Sequence, residues 1–466
     1  MREPQGDFLS ELFQSVAERS RKLLRRPSGN GKSKLSARAL AEALLSARGE
    51  ASGVALARAL LEQLKAMDAE ERRDWFLMLA RELGPDEAAV ARAVAGWTES
   101  PGPATASALH YAAEPRRQEL FRRMNMAPGG TATLVAMREM LLAETAAQPE
   151  LAQVDADLEH LFTSWFNRGF LVLRRIDWST PADILEKIIR YEAVHEIHGW
   201  DDLKGRLKPA DRRCFAFFHP QMPEEPLVFV EVALTRGIPS EIARLIAPDR
   251  QPLNPAEADT AVFYSISNTQ NGLRGISFGN FLIKQVVEEL LQEQPALTTF
   301  VTLSPVPGFA KWLSGEAQGR SGERLPQQLF DTLARADWPD DGGARAALQP
   351  LLAQAAALYL LEAKGANGKP ADAVARFHLN NGASLERINV HGDMSAKGLK
   401  QSHGVMVNYL YDLKAIERNH EAYANAGQVA ASHAVQKMLA QDEPVSITRG
   451  LHSLLPQRAP KKEASS

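Results

Sequence analysis

Apolar residues recur along the first third of the chain at helical spacing. Phe8, Leu12, Phe13 and Val16 form one stripe, and Leu56, Leu60, Leu61 and Leu64 form another, the recurrence of helices with one buried face. Asp68 followed by Glu71 has the form of a capping box, and the helix it starts is predicted to run through Trp75 and Leu79 to a stop at Gly84-Pro85. From Phe170 onward the pattern changes to short β-rich runs: FLVLRRI (170–176), CFAFFH (214–219), LVFVEVAL (227–234), AVFYSIS (261–267) and FVTLS (300–304). Helical segments and Pro-rich turns separate them. PQMPEEP (220–226) reads as a short hairpin-like connection, and Asn381-Gly382 within RFHLNNGASLERINV as a second hairpin turn. The pattern predicts an α+β chain with an all-α domain over residues 1–165, given to packing and assembly, and a mixed α/β domain built on a sheet over 166–466. Residues 316–326 and 364–370 are predicted as mobile loops.

Composition narrows the possible partners. The 466 residues are enough for one large or two medium cores. With 54 Lys and Arg against 57 Asp and Glu, there is no whole-molecule field to attract nucleic acid or an anionic membrane. No apolar run approaches membrane-spanning length. The single cysteine, Cys214, allows no intrachain disulfide and reads as a small apolar filler. The start MREPQGDFLSELF lacks the apolar run of a secretory signal, and KKEASS is not a peroxisomal address. The expected location is cytoplasmic.

Three motif-like stretches fail on spacing. Ser28-Gly29-Asn30-Gly31-Lys32-Ser33 ends like a phosphate loop, but Arg26 stands where the first glycine belongs. His195-Glu196-Ile197-His198 is one residue short of placing two imidazoles on one helical face, so a surface or packing role is expected. Lys65-Ala66-Met67 lacks the setting of a biotinyl lysine.

The stretch FYSISNTQNGLRGISFGNFLIKQVVEELLQEQP, 263–295, differs from these. It passes from a strand through a turn with Gly272, Gly275 and Gly279 into an amphipathic helix starting near Asn280. Glycines let backbone N–H groups approach a pyrophosphate, and a helix N-terminus adds unpaired donors. The spacing is not that of a dinucleotide-binding GxGxxG turn. It fits the acyl-CoA loop of GNAT acetyltransferases, Gln/Arg-x-x-Gly-x-Gly/Ala, with Ser277 in place of the first glycine.

SISNTQNGLRGISFGNFLIK, LSPVPGF and FHLNNGA closely resemble the malonyl-CoA decarboxylase family. The resemblance runs from about Asp177 to Asp412 and more faintly through the helical part. It implies a helical domain followed by a GNAT-like catalytic domain that converts malonyl-CoA to acetyl-CoA and carbon dioxide without metal or organic cofactor. It also implies homo-oligomers, dimers or tetramers. The family's catalytic serine and histidine fall on Ser304 and His378, and its acyl-CoA loop on Arg274, Gly275, Ile276, Ser277, Phe278, Gly279 and Asn280. Asn268, Thr269 and Gln270 are further candidates for contact with the pantetheine or acyl group.

The chemistry can be argued beside the resemblance. Losing carbon dioxide from a malonyl thioester leaves an enolate, so a site must stabilise oxygen charge, desolvate a carboxylate and return a proton to carbon. Ser304 Oγ can hydrogen-bond the carboxylate or the thioester oxygen. His378 is expected to supply the proton, because imidazole titrates near neutral pH. On the residues alone, Ser304 as a turn cap before Pro305 and His378 as a packed ring between Phe377 and Leu379 remain alternatives. His391, His403 and His420 are unassigned. Two rival functions share the acyl-CoA loop: an N-acyltransferase, which needs an amine acceptor, and a non-catalytic acyl-CoA sensor.

Overall fold

The computed structural model describes residues 35–46, 49–276, 282–318, 325–365 and 368–439. The stripe at Phe8 to Val16, the basic stretch 28–33, the loop residues 319–324 and 366–367, and Ser277 to Asn280 lie outside them. The chain divides into two compact units, one of Met1–Leu234, Gln251–Glu257 and Phe263–Ala296, the other of Thr235–Arg250, Ala258–Val262 and Leu297–Ser466.

The first unit begins with helices α1 (Ala37–Ser46), α2 (Glu50–Ala66), α3 (Ala69–Glu82), α4 (Glu87–Glu99), α5 (Pro103–Ala113), α6 (Arg116–Asn125), α7 (Gly130–Glu144) and α8 (Ala152–Trp165). The predicted stripe of α2 is buried at Leu56, Leu60, Leu61 and Leu64. Asp68 caps α3 in a complete capping box: its carboxylate accepts from the N–H groups of Glu70 and Glu71, while the Glu71 side chain accepts from the Asp68 N–H. Two orphan donors are satisfied at once, which explains the sharp helix start.

A sheet follows, with strands β1 (Val172–Ile176), β2 (Arg212–His219), β3 (Met222–Thr235) and β4 (Thr260–Asn268) adjacent in that order. Helices α9 (Ala182–Tyr191) and α10 (Trp200–Leu207) lie between β1 and β2 in sequence. They bury Ile184, Leu185, Ile188, Leu203 and Leu207 in one cluster with Ile176, Cys214, Ala216, Phe218 and Phe229. Cys214 is thus the apolar filler expected of it. His195 and His198 lie between α9 and α10, outside any helix, the first buried and the second exposed. The β2–β3 hairpin is tighter than the seven-residue connection predicted, because His219 pairs with Met222 across a turn of Pro220 and Gln221. The prolines at 223 and 226 fall where the register shifts, and an irregular ladder tolerates a residue without N–H. Helix α11 (Leu282–Glu293) follows the glycine turn.

The second unit contains β5 (Thr299–Thr302), β6 (Ser304–Pro305), α12 (Phe309–Gln318), α13 (Gln327–Leu333), α14 (Gly342–Leu361), α15 (Ala373–Asn380), β7 (Ser384–Asn389), α16 (Ala396–Ser402), β8 (Met406–Leu410), α17 (Ile416–Ala426) and α18 (His433–Leu439). Strand β8 pairs antiparallel with β5, β6 and β7. Asn381-Gly382 does not form the predicted hairpin. Phe377 to Asn380 are the last turn of α15, and Gly382, at φ +79°, ends it: its N–H bonds Leu379 O, and the Ala383 N–H bonds His378 O. The alternation in FHLNNGAS misled because Asp372, seven residues before Leu379, had already capped a helix. A Cβ at 382 would also lie 2.2 Å from Ile416 O, so glycine is required there on two counts.

Candidate active site

Thr302 and Ser304 lie two residues apart on the β5–β6 run, so their side chains share a face. Opposite them, β8 supplies Val407 against Ser304 and Met406 against Pro305. Side chains complete this ladder. Asn408, fully buried, donates to Thr302 O at 2.7 Å, and the Tyr409 N–H donates to Thr302 Oγ1 at 3.1 Å. Asn408 is itself held by Asn389 at 2.8 Å and Arg387 at 3.1 Å. The serine is therefore carried on a rigid segment.

His378 lies in the last turn of α15, is 3% exposed, and places Nε2 3.1 Å from Ser304 Oγ. Its Nδ1 is 2.7 Å from the Tyr411 hydroxyl, and its ring stacks on Tyr409 at 4.6 Å between centroids. Ser304 Oγ donates to Thr302 Oγ1 at 2.8 Å. With the serine hydrogen so used, Nε2 carries the ring hydrogen toward Ser304, and Nδ1 accepts from Tyr411. The result is a directed chain from Tyr411 through His378 and Ser304 to Thr302. Burial pushes the His378 imidazole down to about 3, so the ring is neutral across the physiological range. Burial also pushes the Tyr411 hydroxyl well above its usual range, which keeps it a donor. Burial thus favours the neutral ring, which differs from the expectation of an imidazole titrating near neutral pH.

The predicted acyl-CoA turn is built differently. It leaves β4 through a 3-10 turn, Asn271–Leu273. Arg138 of α7, 2% exposed, donates to Gly272 O and Arg274 O at 2.9 Å each, while its Nε bonds Asp155 at 2.7 Å. Asn271 Nδ2 bonds Glu139 at 2.9 Å. A Cβ on Gly272 would lie 1.9 Å from Val135 O, so glycine here serves packing against α7. Gly275 has φ +88° and is open on its outer side, the backbone freedom a ligand turn uses. Arg274 and Gly275 are exposed and Ile276 is buried. Asn268 is exposed, whereas Thr269 Oγ1 and Gln270 Nε2 both reach Pro226 O.

A family model described as the malonyl-CoA decarboxylase C-terminal domain matches residues 169–448. The chain belongs to the malonyl-CoA decarboxylase family. A second model, the malonyl-CoA decarboxylase N-terminal domain, matches 83–166. Mitochondrial malonyl-CoA decarboxylases of Mus musculus and Rattus norvegicus are each 36% identical over 409 residues, 80% of this chain and 83% of theirs. Among solved structures, malonyl-CoA decarboxylase from Rhodopseudomonas palustris is 57% identical with a TM-score of 0.83, covering 86% of this chain and 98% of its own. The Agrobacterium vitis structure is 53% identical at the same TM-score, covering 86% and 99%.

In this chain the structure brings Ser304 and His378 together, and it adds Thr302, Tyr409 and Tyr411, which sequence reasoning missed. Their signal was present. Thr302 stands two before Ser304 in FVTLS, and Tyr409 and Tyr411 alternate in NYLYD, the first on β8 and the second just past its end. His420 Nδ1 bonds Asn380 O at 2.6 Å, and His391 and His403 flank Trp338 at 6.4 and 6.5 Å between ring centroids.

Proposed function

We propose that the chain converts malonyl-CoA to acetyl-CoA and carbon dioxide, with Ser304 and His378 acting at the malonyl end. The observation that carries this reading is the 3.1 Å contact between Ser304 Oγ and His378 Nε2 inside a buried, directed hydrogen-bond chain. The bond from the α-carbon to the carboxylate breaks, carbon dioxide leaves, and the electron pair passes into the thioester as an enolate. Ser304 exchanges its bond to Thr302 for one to the thioester oxygen, where the charge develops. Nε2–H of neutral His378 then protonates the α-carbon while the Tyr411 O–H passes its hydrogen to Nδ1, and solvent reprotonates Tyr411. One proton is consumed per turnover, as the reaction requires. Imidazolium is never formed, in keeping with the low imidazole pKa. A thioester enolate is basic enough to take the proton from a neutral ring.

We assign the phosphates of CoA to the backbone of 274–280, a turn steadied by Arg138 in its described part. Asn268, Thr269 and Gln270 stay in the proposal as acyl or pantetheine contacts, the last two through main-chain groups because their side chains face Pro226 O. Residues 1–165 are proposed as the assembly domain and 166–466 as the catalytic one, which agrees with family models meeting at 166 and 169. A homo-oligomer, dimer or tetramer, is favoured by α4 and α5. Neither has a buried residue, and they leave Val94, Trp97 and Tyr111 exposed, apolar surface of the kind that marks contacts. A cytoplasmic location completes the proposal, resting on a lone cysteine that forms no disulfide. Among the described residues no helix is long and apolar enough to cross a membrane.

The test is incubation of the purified protein with malonyl-CoA alone. Carbon dioxide and acetyl-CoA in equal amounts support the proposal. Turnover that waits for an amine acceptor would instead show an N-acyltransferase, and saturable binding without turnover a sensor.

A further inference from the structure

Ser304 and His378 come from segments 74 residues apart, so their contact depends on how those two segments are held to each other. One side chain touches both. Asp372, 2% exposed, is the N-cap of α15, and its Oδ1 accepts from the Ala375 N–H at 2.9 Å. The same carboxylate accepts from the backbone N–H of Gly308, and the Tyr359 hydroxyl donates to Oδ2 at 3.4 Å. Gly308 ends the loop that starts at Ser304. Between them stand Pro305 and Pro307, whose rings lock φ, so fixing the Gly308 N–H strongly limits where Ser304 can point. On the other side His378 follows Asp372 by six residues of helix, about 9 Å of rigid rise. Glycine is demanded here by Tyr359, whose hydroxyl also donates to Asp372: a Cβ on Gly308 would lie 2.3 Å from Tyr359 Oη, and at an ordinary 3.6 Å from Asp372 Oδ2.

We propose that Asp372 is a positioning residue for the Ser304–His378 pair, one carboxylate tying the start of the histidine helix to the end of the serine loop. The inference rests on the reading of those two residues as the reacting pair. Asp372 touches neither the substrate nor the reacting atoms in this account. A displacement of about 1 Å at a reacting group can cost about a hundredfold in rate, so the tie acts on kcat and leaves substrate affinity alone.

Asp372→Asn separates the tie from ordinary stability. Asn is as good an N-cap as Asp, yet its amide has one acceptor, so either the Ala375 or the Gly308 N–H loses its partner. Expected for the full-length variant is a fall in kcat of about tenfold to a hundredfold, with KM for malonyl-CoA within about twofold. In a His378→Asn background the same change should cost less than about twofold, because no pair is left to position. Equal losses in both backgrounds, a rise in KM at constant kcat, or wild-type turnover would each overturn the proposal. Should Asp372→Asn not fold, Gly308→Ala strains the same tie from the loop side and is read identically. If His378→Asn and Ser304→Ala themselves retain wild-type kcat, the reading of the pair has failed; if they are impaired while Asp372→Asn is not, only the positioning role has.

Discussion

Tyr411→Phe removes a single oxygen from the interior of the proposed active site. The ring remains, 2% exposed, with its backbone N–H on Phe300 O at 2.9 Å. What is lost is the hydroxyl 2.7 Å from His378 Nδ1. Leaving that buried acceptor without a donor costs about 1–3 kcal/mol, and the low end of that range already changes the population of the Nε2–H tautomer about fivefold. The larger effect is on proton supply. General acid catalysis contributes about a hundred- to ten-thousand-fold, and without Tyr411 the neutral ring can no longer be recharged through Nδ1. The expected outcome is a kcat about a hundredfold below wild type, KM within about twofold, and a modest drop in melting temperature. Initial rates of acetyl-CoA formation across a range of malonyl-CoA concentrations measure both constants. A Tyr411→Phe enzyme within about threefold of wild-type kcat refutes the relay and leaves Tyr411 as a packing residue.

The remaining predictions concern pH and the framework. Because burial holds His378 near 3 and Tyr411 far above neutrality, kcat should be flat from about pH 6 to 8; a tenfold fall per unit in that window would mean an imidazolium donor. Arg138→Met leaves two carbonyls and Asp155 unpartnered. It should cost about 3–5 kcal/mol of stability by chemical denaturation and raise KM for malonyl-CoA by about tenfold, and an unchanged KM would detach the turn from CoA binding. Burial and the neighbouring Glu192 carboxylate push Glu231 up to about 8 against the pull of Arg206. The folded-state value is above the unfolded one, so this group's contribution is fully present below about pH 4.5 and is lost as pH rises through about 8. Glu231→Gln should therefore gain on wild type over that interval by more than about 1.4 kcal/mol, the equivalent of one pKa unit; parallel stability curves would show that Glu231 does not titrate there.

Much of this molecule was legible in its residues, and the failures have physical causes. Strands β1 to β5 were found because β-branched and aromatic residues crowd between turn signals, and α3 because Asp68 and Glu71 sit at capping distance. Helix α15 was misread because Asn381-Gly382 carries the same left-handed glycine whether it closes a hairpin or ends a helix; only the cap at Asp372 tells them apart. Ser304 and His378 were found through their motifs, and no local pattern could place them 3.1 Å apart. Thr302 and Tyr411 were missed for the complementary reason. Their roles are defined by partners on other strands and helices, which is long-range information. The preference of His378 for the neutral ring follows from burial, a property of the packed unit that no local pattern carries.

The central claim is that His378 delivers the proton that turns the enolate into acetyl-CoA, and the direct measurement is kcat of His378→Asn at saturating malonyl-CoA. Asparagine keeps a polar side chain of similar reach but cannot complete the relay. The account predicts a loss of about a hundred- to ten-thousand-fold, with malonyl-CoA affinity and melting temperature close to wild type. A His378→Asn enzyme that releases carbon dioxide at near wild-type rate, or one that is slow only because it has unfolded, would contradict it.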